Sequence, residues 1–232
     1  KKMYQTNIEG TKQLLFACQN SSVKKFLFVS SIAVLDGLNE NGELDESSDF
    51  NPKIDHSAYA ISKHFSEMEV WRASAEGLNT VIVNPGIIIG SGNWKESSGT
   101  LFKELGENAY TFSGGTSYVD VRDVAQISIE LMEKNIFGER FILISENKKY
   151  QDVANFIKQK LGKQAVKLVP NGFLKTGVFL NSILGWLISP LKMANKVNLQ
   201  SVTEFNKISS KKIKEKLNYQ FIPLEESLAF HV

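Results

Sequence analysis

An α/β protein with a parallel sheet is predicted by three features of the sequence. Helical and strand patterns alternate along the first part of the chain, the strand patterns are short continuous apolar runs, and the pattern turns mainly helical after about residue 148. At 232 residues with 42% hydrophobic and 22% charged residues, the chain is long enough to bury a core and to form one domain plus a smaller lobe. The expected division is residues 1–147 and 148–232, with segments partly interleaved.

The elements follow in order. "MYQTNIEGTKQLLFACQNS" carries apolar or small residues at Ile8, Thr11, Leu14, Leu15 and Cys18, a helical period, and "KKFLFVSS" reads as a buried strand. The segment "IAVLDGLNENGELDESSDFNPKIDH", rich in Asn, Asp, Gly and Ser, is expected to loop over the surface. "SAYAISKHFSEMEVWRASAEG" is a helix that stops at Gly77, before the strand "NTVIVN" and the breakers Pro85 and Gly86. "SYVDVRDVAQISIELMEKN" is a short strand entering a helix, with Asp120 and Asp123 as capping residues, and "ERFILIS" is another buried strand.

Several function classes drop out. A formal net charge of +2, with Lys and Glu interleaved, gives no footprint for nucleic acid. The single cysteine, Cys18, suits a reducing compartment and a small core position. "KKMYQTNIEG" has no apolar stretch resembling a signal peptide, which predicts a cytoplasmic protein. The longest apolar region, "GFLKTGVFLNSILGWLISPLKM", is broken by Lys175, Asn181 and Pro190 and falls short of the roughly 20 apolar residues of a membrane span, so no span is expected. No cluster of Cys, His and carboxylates has metal-ligand spacing, and His56 and His64 receive no catalytic reading.

The residues that carry chemistry begin with Tyr59 and Lys63, which at i and i+4 share one helix face. In an open parallel sheet, ligands bind outside the carboxyl ends of the strands. "FLFVSS" delivers Ser30 and Ser31 to that edge, and "TVIVNPG" delivers Asn84, Pro85 and Gly86. A hydroxyl, a phenol and an ammonium meeting there form a proton-transfer site, because a neighbouring cation favours the phenolate form of a phenol. A hydride carrier is the missing component.

The ordered set "NIEGTKQLL", "FVSSIAVLDG", "YAISK", "VNPGIIIG" and "SYVDVRDVA", with "SSKKIKEKLNY" near the end, resembles the extended short-chain dehydrogenase/reductase family, the NAD-dependent epimerase/dehydratase group. The resemblance covers nearly the whole chain. It implies a Rossmann-like doubly wound parallel sheet, amino-terminally incomplete, with a smaller, mainly helical carboxyl-terminal substrate lobe. It also implies NAD or NADP as cofactor, a small-molecule substrate, and a homodimer built through a four-helix interface of the kind common in that family. By the resemblance Tyr59 is the catalytic acid/base, and Lys63 supports it and holds the nicotinamide ribose. Ser31 orients the substrate oxygen, with Ser30 as the competing choice, and Asn7 organises a proton-relay water. Pro85, Gly86, Ile87 and Ile88 lie against the nicotinamide carboxamide.

One departure is large. A dinucleotide site needs a glycine-rich turn from strand to helix for the pyrophosphate, and neither "GSGNWKESSG" nor "SGG" stands in that order. Measured against the family pattern, the chain is expected to lack the amino-terminal part of the Rossmann half, on the order of 60 residues at roughly 30 per βαβ unit. Three readings follow: an NAD(P)-dependent oxidoreductase acting on a carbonyl or alcohol, a nucleotide-sugar epimerase or dehydratase with the same triad, and a non-catalytic binding or scaffold protein. The apolar Ile88 and Ile89 after β-strand residue Asn84, with Phe112, Phe173, Phe179 and Trp186, resemble the dihydroflavonol reductase and cinnamoyl-CoA reductase branch, which favours the first.

Overall fold

A computed structural model of the chain describes residues 2–91, 97–170, 172 and 196–231. The helices are α1 (Lys2–Tyr4), α2 (Gly10–Gln19), α3 (Ala58–Ala75), α4 (Ser97–Glu107), α5 (Val121–Glu133), α6 (Tyr150–Lys160), α7 (Lys196–Thr203), α8 (Lys211–Leu217) and α9 (Leu224–His231). The strands are β1 (Lys25–Val29), β2 (Asn79–Pro85), β3 (Ile87–Ile89), β4 (Tyr110–Thr111), β5 (Gly115–Asp120), β6 (Glu139–Leu143), β7 (Glu146–Lys149) and β8 (Lys167–Leu168). They form two compact, interleaved units. The first takes Lys1–Ile88, Val119–Ser145 and Ile208–Ile222; the second takes Ile89–Tyr118, Glu146–Lys207 and Pro223–Val232. Residues 89–118 and 208–222 therefore belong to the opposite side of the sequence division at residue 148.

In the first unit β1, β2 and β6 form a parallel sheet in the order β1-β2-β6, with Val29 opposite Val83 and Pro85 opposite Leu143. β2 is the central strand, and Val81, Ile82 and Val83 are fully buried. Its side chains alternate between two faces. Ile82 packs with Leu15 of α2 and with Val70, Ala73 and Leu78, while Val81 and Val83 pack with Val124, Ile127 and Leu131 of α5 and with Ile213 and Leu217 of α8. Helices on both faces make the sheet doubly wound, as the continuous apolar runs of its strands predict. Each of these buried aliphatic side chains stabilises the fold by roughly 1.5–3 kcal/mol relative to exposure.

The region between β1 and α3 is more than a surface loop. Val34, Leu35 and Leu44 are buried with Ile142, Ile144 and Ile208. The same segment closes the outer edge of β6: the Ile142 N–H donates to Glu46 Oε1 at 2.9 Å, and Arg140 donates to the carbonyls of Glu46 at 2.9 Å and Ser48 at 2.8 Å. Edge groups left unpaired would cost stability or invite another strand.

Two local expectations are corrected. Leu14, placed on the core stripe of the first helix, is 60% exposed; Thr11 and Leu15 carry the buried face, and Cys18 lies partly buried against the same cluster. Asp120 caps α5 by accepting the Arg122 N–H, but Asp123 is no cap: its buried carboxylate accepts the Tyr219 hydroxyl at 2.9 Å and the Ile222 N–H at 3.1 Å. No local pattern could report partners almost a hundred residues away.

In the second unit β4 pairs with β8 in parallel and β5 with β7 antiparallel. α4 packs on α6 at close range, since a Cβ on Gly106 would stand 3.2 Å from Ile157. A Cβ on Gly114 would stand 2.6 Å from the Glu204 carbonyl oxygen and one on Gly115 2.6 Å from the Lys148 carbonyl oxygen, so only glycine fits against the 202–204 backbone at the first position and the 148–149 backbone at the second. Lys175, Asn181, Pro190, Phe173, Phe179 and Trp186 lie outside the described residues. Among the described residues, no helix is long and apolar enough to cross a membrane.

Candidate active site

The site is built on the first unit, at the carboxyl end of β1 and β2. Ser57 sets the start of α3: its hydroxyl accepts the Ala60 N–H at 3.1 Å, as a helix N-cap does, which puts Tyr59 in the first turn and Lys63 one turn later. Tyr59 is 42% exposed. Lys63 is half-buried, and one of its three N–H donors goes to the Val29 carbonyl, the last of β1, at 2.8 Å. Its ammonium also stands 5.0 Å from the centre of the Phe28 ring. Burial pulls the Lys63 ammonium below its ordinary pKa, and the Glu67 carboxylate works against that.

The two candidate serines separate clearly. Ser30 is 3% exposed, and its hydroxyl approaches the Glu67 carboxylate without closing a good hydrogen bond. Ser31 is half-buried and begins the short 3-10 turn Ile32–Val34, which packs on α3. Its Oγ accepts the Ala33 N–H at 3.2 Å, which leaves the hydroxyl proton free to donate.

Asn7 lies in a π-helical turn, Gln5–Glu9, between α1 and α2, where the Gly10 N–H reaches back five residues to the Gln5 carbonyl. Such turns re-aim backbone groups. The Asn7 carbonyl accepts the hydroxyls of Thr11 at 2.6 Å and Ser66 at 2.8 Å. Its side chain donates to Ser62 Oγ at 2.9 Å, and Ser62 donates to the Tyr59 carbonyl at 2.8 Å. Asn7 thus braces the α3 backbone behind Tyr59.

Of the β2 residues, Pro85 is buried and pairs with Leu143, and the Gly86 N–H is taken by the Leu143 carbonyl at 3.0 Å. Ile87 and Ile88 are half-buried, and Ile88 packs partly on the core. Ile89, expected in an apolar pocket wall, is 1% exposed and belongs to the core. Phe112 lines a shallow hollow of about 130 Å³ with Tyr110, Tyr150 and Val202, well below the roughly 300 Å³ at which ligand pockets start. His56 and His64 stack on opposite sides of Phe50, at 4.0 and 4.1 Å between ring centres, which accounts for both without chemistry.

Asn84, which the sequence placed at the sheet edge without a role, and Glu67, which the sequence reading missed, complete the site. Asn84 is fully buried, and its Nδ2 donates to the Ser31 carbonyl at 3.1 Å and to Glu67 Oε1 at 2.7 Å. Glu67 is 1% exposed, and burial raises its pKa while Ser30, Asn84, Arg140 and Lys63 oppose the rise. The signal for Glu67 lay in α3 itself: it falls on the buried stripe of Ala60, Val70 and Ala73, a charge where only small and apolar residues belong. Among the described residues there is no group of three His, Cys, Asp or Glu that would hold a metal ion.

The profile of the NAD dependent epimerase/dehydratase family matches residues 1–143. The chain is 25% identical over 183 residues to the sterol demethylase protein B of Methylococcus capsulatus, covering 78% of this chain and 56% of that protein. It is 28% identical over 173 residues to a putative dihydroflavonol 4-reductase of Synechocystis, covering 71% and 50%. The crystal structure of gox2253 superposes with a TM-score of 0.85 at 26% identity, covering 99% of this chain and 71% of that one. The chain spans about half the length of the curated relatives it matches. The described residues suit one half of a dinucleotide: the exposed Tyr59 phenol and the remaining Lys63 donors stand at the sheet end where a ribose and nicotinamide ring would lie. For the pyrophosphate the chain offers no glycine-rich turn.

Proposed function

The chain belongs to the NAD dependent epimerase/dehydratase family, and from that premise we propose that the protein is an NAD(P)-dependent oxidoreductase that reduces a carbonyl, or oxidises the corresponding alcohol, on a small organic substrate. The observation that carries the reading is the meeting of two elements at the carboxyl end of β1: α3, which carries Tyr59 and Lys63 one turn apart and binds the Val29 carbonyl through Lys63, and the Ser31-capped turn that packs on it. When bound, the nicotinamide supplies the hydride.

The chain's own residues handle the proton and the orientation. In reduction Tyr59 donates its hydroxyl proton to the carbonyl oxygen as that oxygen gains negative charge, and in oxidation the phenolate takes the proton back. Ser31 donates a hydrogen bond to the same oxygen and so fixes its position. Lys63 keeps a positive charge on the phenol's face of α3 and would offer donors to the ribose hydroxyls, and Ile87 and Ile88 would hold the ring. Asn7, through Ser62, holds the first turn of α3 so that Tyr59 keeps its place. What favours the reductase over a sugar-nucleotide enzyme is the sequence match to a putative dihydroflavonol 4-reductase at 28% identity.

The test is a substrate panel with the natural full-length protein. Bulky aldehydes and ketones are expected to give NADPH oxidation, and UDP- and dTDP-sugars to give neither epimerised nor dehydrated product. Turnover of a sugar nucleotide with silent carbonyls would reverse the assignment.

A further inference from the structure

One buried charge at this sheet end takes no part in the proton transfer described above. Glu67 lies on α3 one turn beyond Lys63 and two beyond Tyr59, on the same side of the helix. Its Oε1 accepts from the Asn84 amide at 2.7 Å, and Arg140 Nη1 stands 3.8 Å from its Oε2. The second N–H of that amide goes to the Ser31 carbonyl. Two acceptors therefore fix which way the amide points, and turning it over would set its oxygen against a carboxylate and a carbonyl at once. An ionised carboxylate is among the groups least often found fully buried, and this one faces cations from two elements, Lys63 on its own helix and Arg140 on β6.

We propose that Glu67 is a positioning residue for Ser31 and Lys63: its carboxylate fixes the Asn84 amide that braces the Ser31 backbone, and it supplies the negative charge that faces Lys63 from one turn away on α3. The proposal rests on the reading of the site given above. Its two halves separate by substitution. Glu67→Gln keeps an acceptor for Asn84 and removes the charge; Glu67→Asp keeps the charge and withdraws the acceptor by one methylene.

Two measurements on the natural full-length protein test it. Lysine 13Cε NMR, with the Lys63 signal assigned by its loss in Lys63→Arg, follows the Lys63 titration without cofactor or turnover. In Glu67→Gln that transition moves to lower pH by about one unit, and in Glu67→Asp it stays near its original place. Carbonyl reduction needs Lys63 in its charged form, and removing the nearby negative charge releases the Lys63 proton at lower pH. The alkaline limb of kcat therefore moves down by about one unit in Glu67→Gln. In Glu67→Asp the limb stays while kcat falls severalfold at unchanged KM, a result that also serves if Glu67→Gln does not fold. An unmoved Lys63 transition in folded Glu67→Gln, or an unchanged kcat in Glu67→Asp, overturns the proposal. Full turnover by Tyr59→Phe overturns the reading of the site instead, and the NMR titration, which needs no turnover, tells the two failures apart.

Discussion

At the carboxyl end of the first unit's sheet, Asn84, Glu67, Ser30 and Arg140 meet in a polar network, with Asn84 and Glu67 almost wholly buried. The second unit's close approaches at glycine, Gly106 against Ile157, Gly114 against the 202–204 backbone and Gly115 against the 148–149 backbone, involve no charged side chain. Burying a charge is costly unless it is paired and hydrogen-bonded, whereas close apolar and backbone packing is favourable in its own right. The two regions should therefore answer to substitution in different ways: the exposed Tyr59 at the sheet end through chemistry with little loss of stability, the glycine contacts through stability with little direct effect on chemistry.

The largest expected effect is at the first region. Tyr59→Phe removes one hydroxyl from an exposed position, so the melting temperature should stay within a few degrees while turnover falls about 10²- to 10⁴-fold, the usual contribution of a general acid. Steady-state kinetics and a thermal melt on the same preparation check both halves. A large drop in melting temperature would show that the phenol is structural and would break the contrast at its strongest point.

Next comes Gly115→Ala in the second region. The added Cβ meets the Lys148 carbonyl at 2.6 Å and the Lys149 Cα at 2.8 Å, and backbone cannot swing aside as a side chain can. Overpacking of this kind should destabilise the fold by about 2–3 kcal/mol, read by urea denaturation, with kcat per folded molecule unchanged. A stable but inactive variant would mean that the second unit's packing bears on the chemistry directly.

The same contrast explains how far the sequence could be read. Strands such as "FLFV" and "VIV" and the α3 pair Tyr59 and Lys63 announce themselves because their signal is local: an apolar run or an i, i+4 spacing fixed by helix geometry. Ser30 and Ser31 are equivalent as letters, and only the turn that packs on α3 makes one a core residue and the other a donor. The Asn84–Glu67 bond, the Glu46 cap on β6 and the Asp123 bond to Tyr219 link residues 17, 96 and 96 positions apart. Such pairs leave no periodicity, so the polar network stayed hidden while the apolar layers did not. For the same reason the 32–56 region read as loop although Leu35 and Leu44 anchor a core cluster.

A third prediction concerns the dinucleotide. On the proposed reading Lys63 would donate to a nicotinamide ribose, but the 232 residues hold no glycine-rich turn, so the chain by itself should bind NAD(P) only weakly. Calorimetry on the isolated chain decides it, and micromolar affinity would show that the pyrophosphate is held by a different part of this chain.

The smallest effect tests whether the polar region truly costs stability. Glu46 is a half-buried acceptor away from Tyr59 and Lys63 in the chain: its carboxylate caps the Ile142 N–H, and burial raises its pKa above the ordinary value. A carboxyl group whose folded pKa is raised holds its proton longer in the native state, so it lowers stability as pH rises from the unfolded value through the folded one. Glu46→Gln keeps an oxygen for the Ile142 N–H and has no proton to lose. Its stability relative to the unsubstituted protein should therefore improve between pH 4 and pH 8, by less than about 1 kcal/mol since the group is partly solvated. Paired urea titrations at the two pH values read the difference directly. A difference that is the same at both, or that favours the carboxylate at pH 8, would mean that the nearby Lys212 charge outweighs burial and that the network is stabilising in its ionised form.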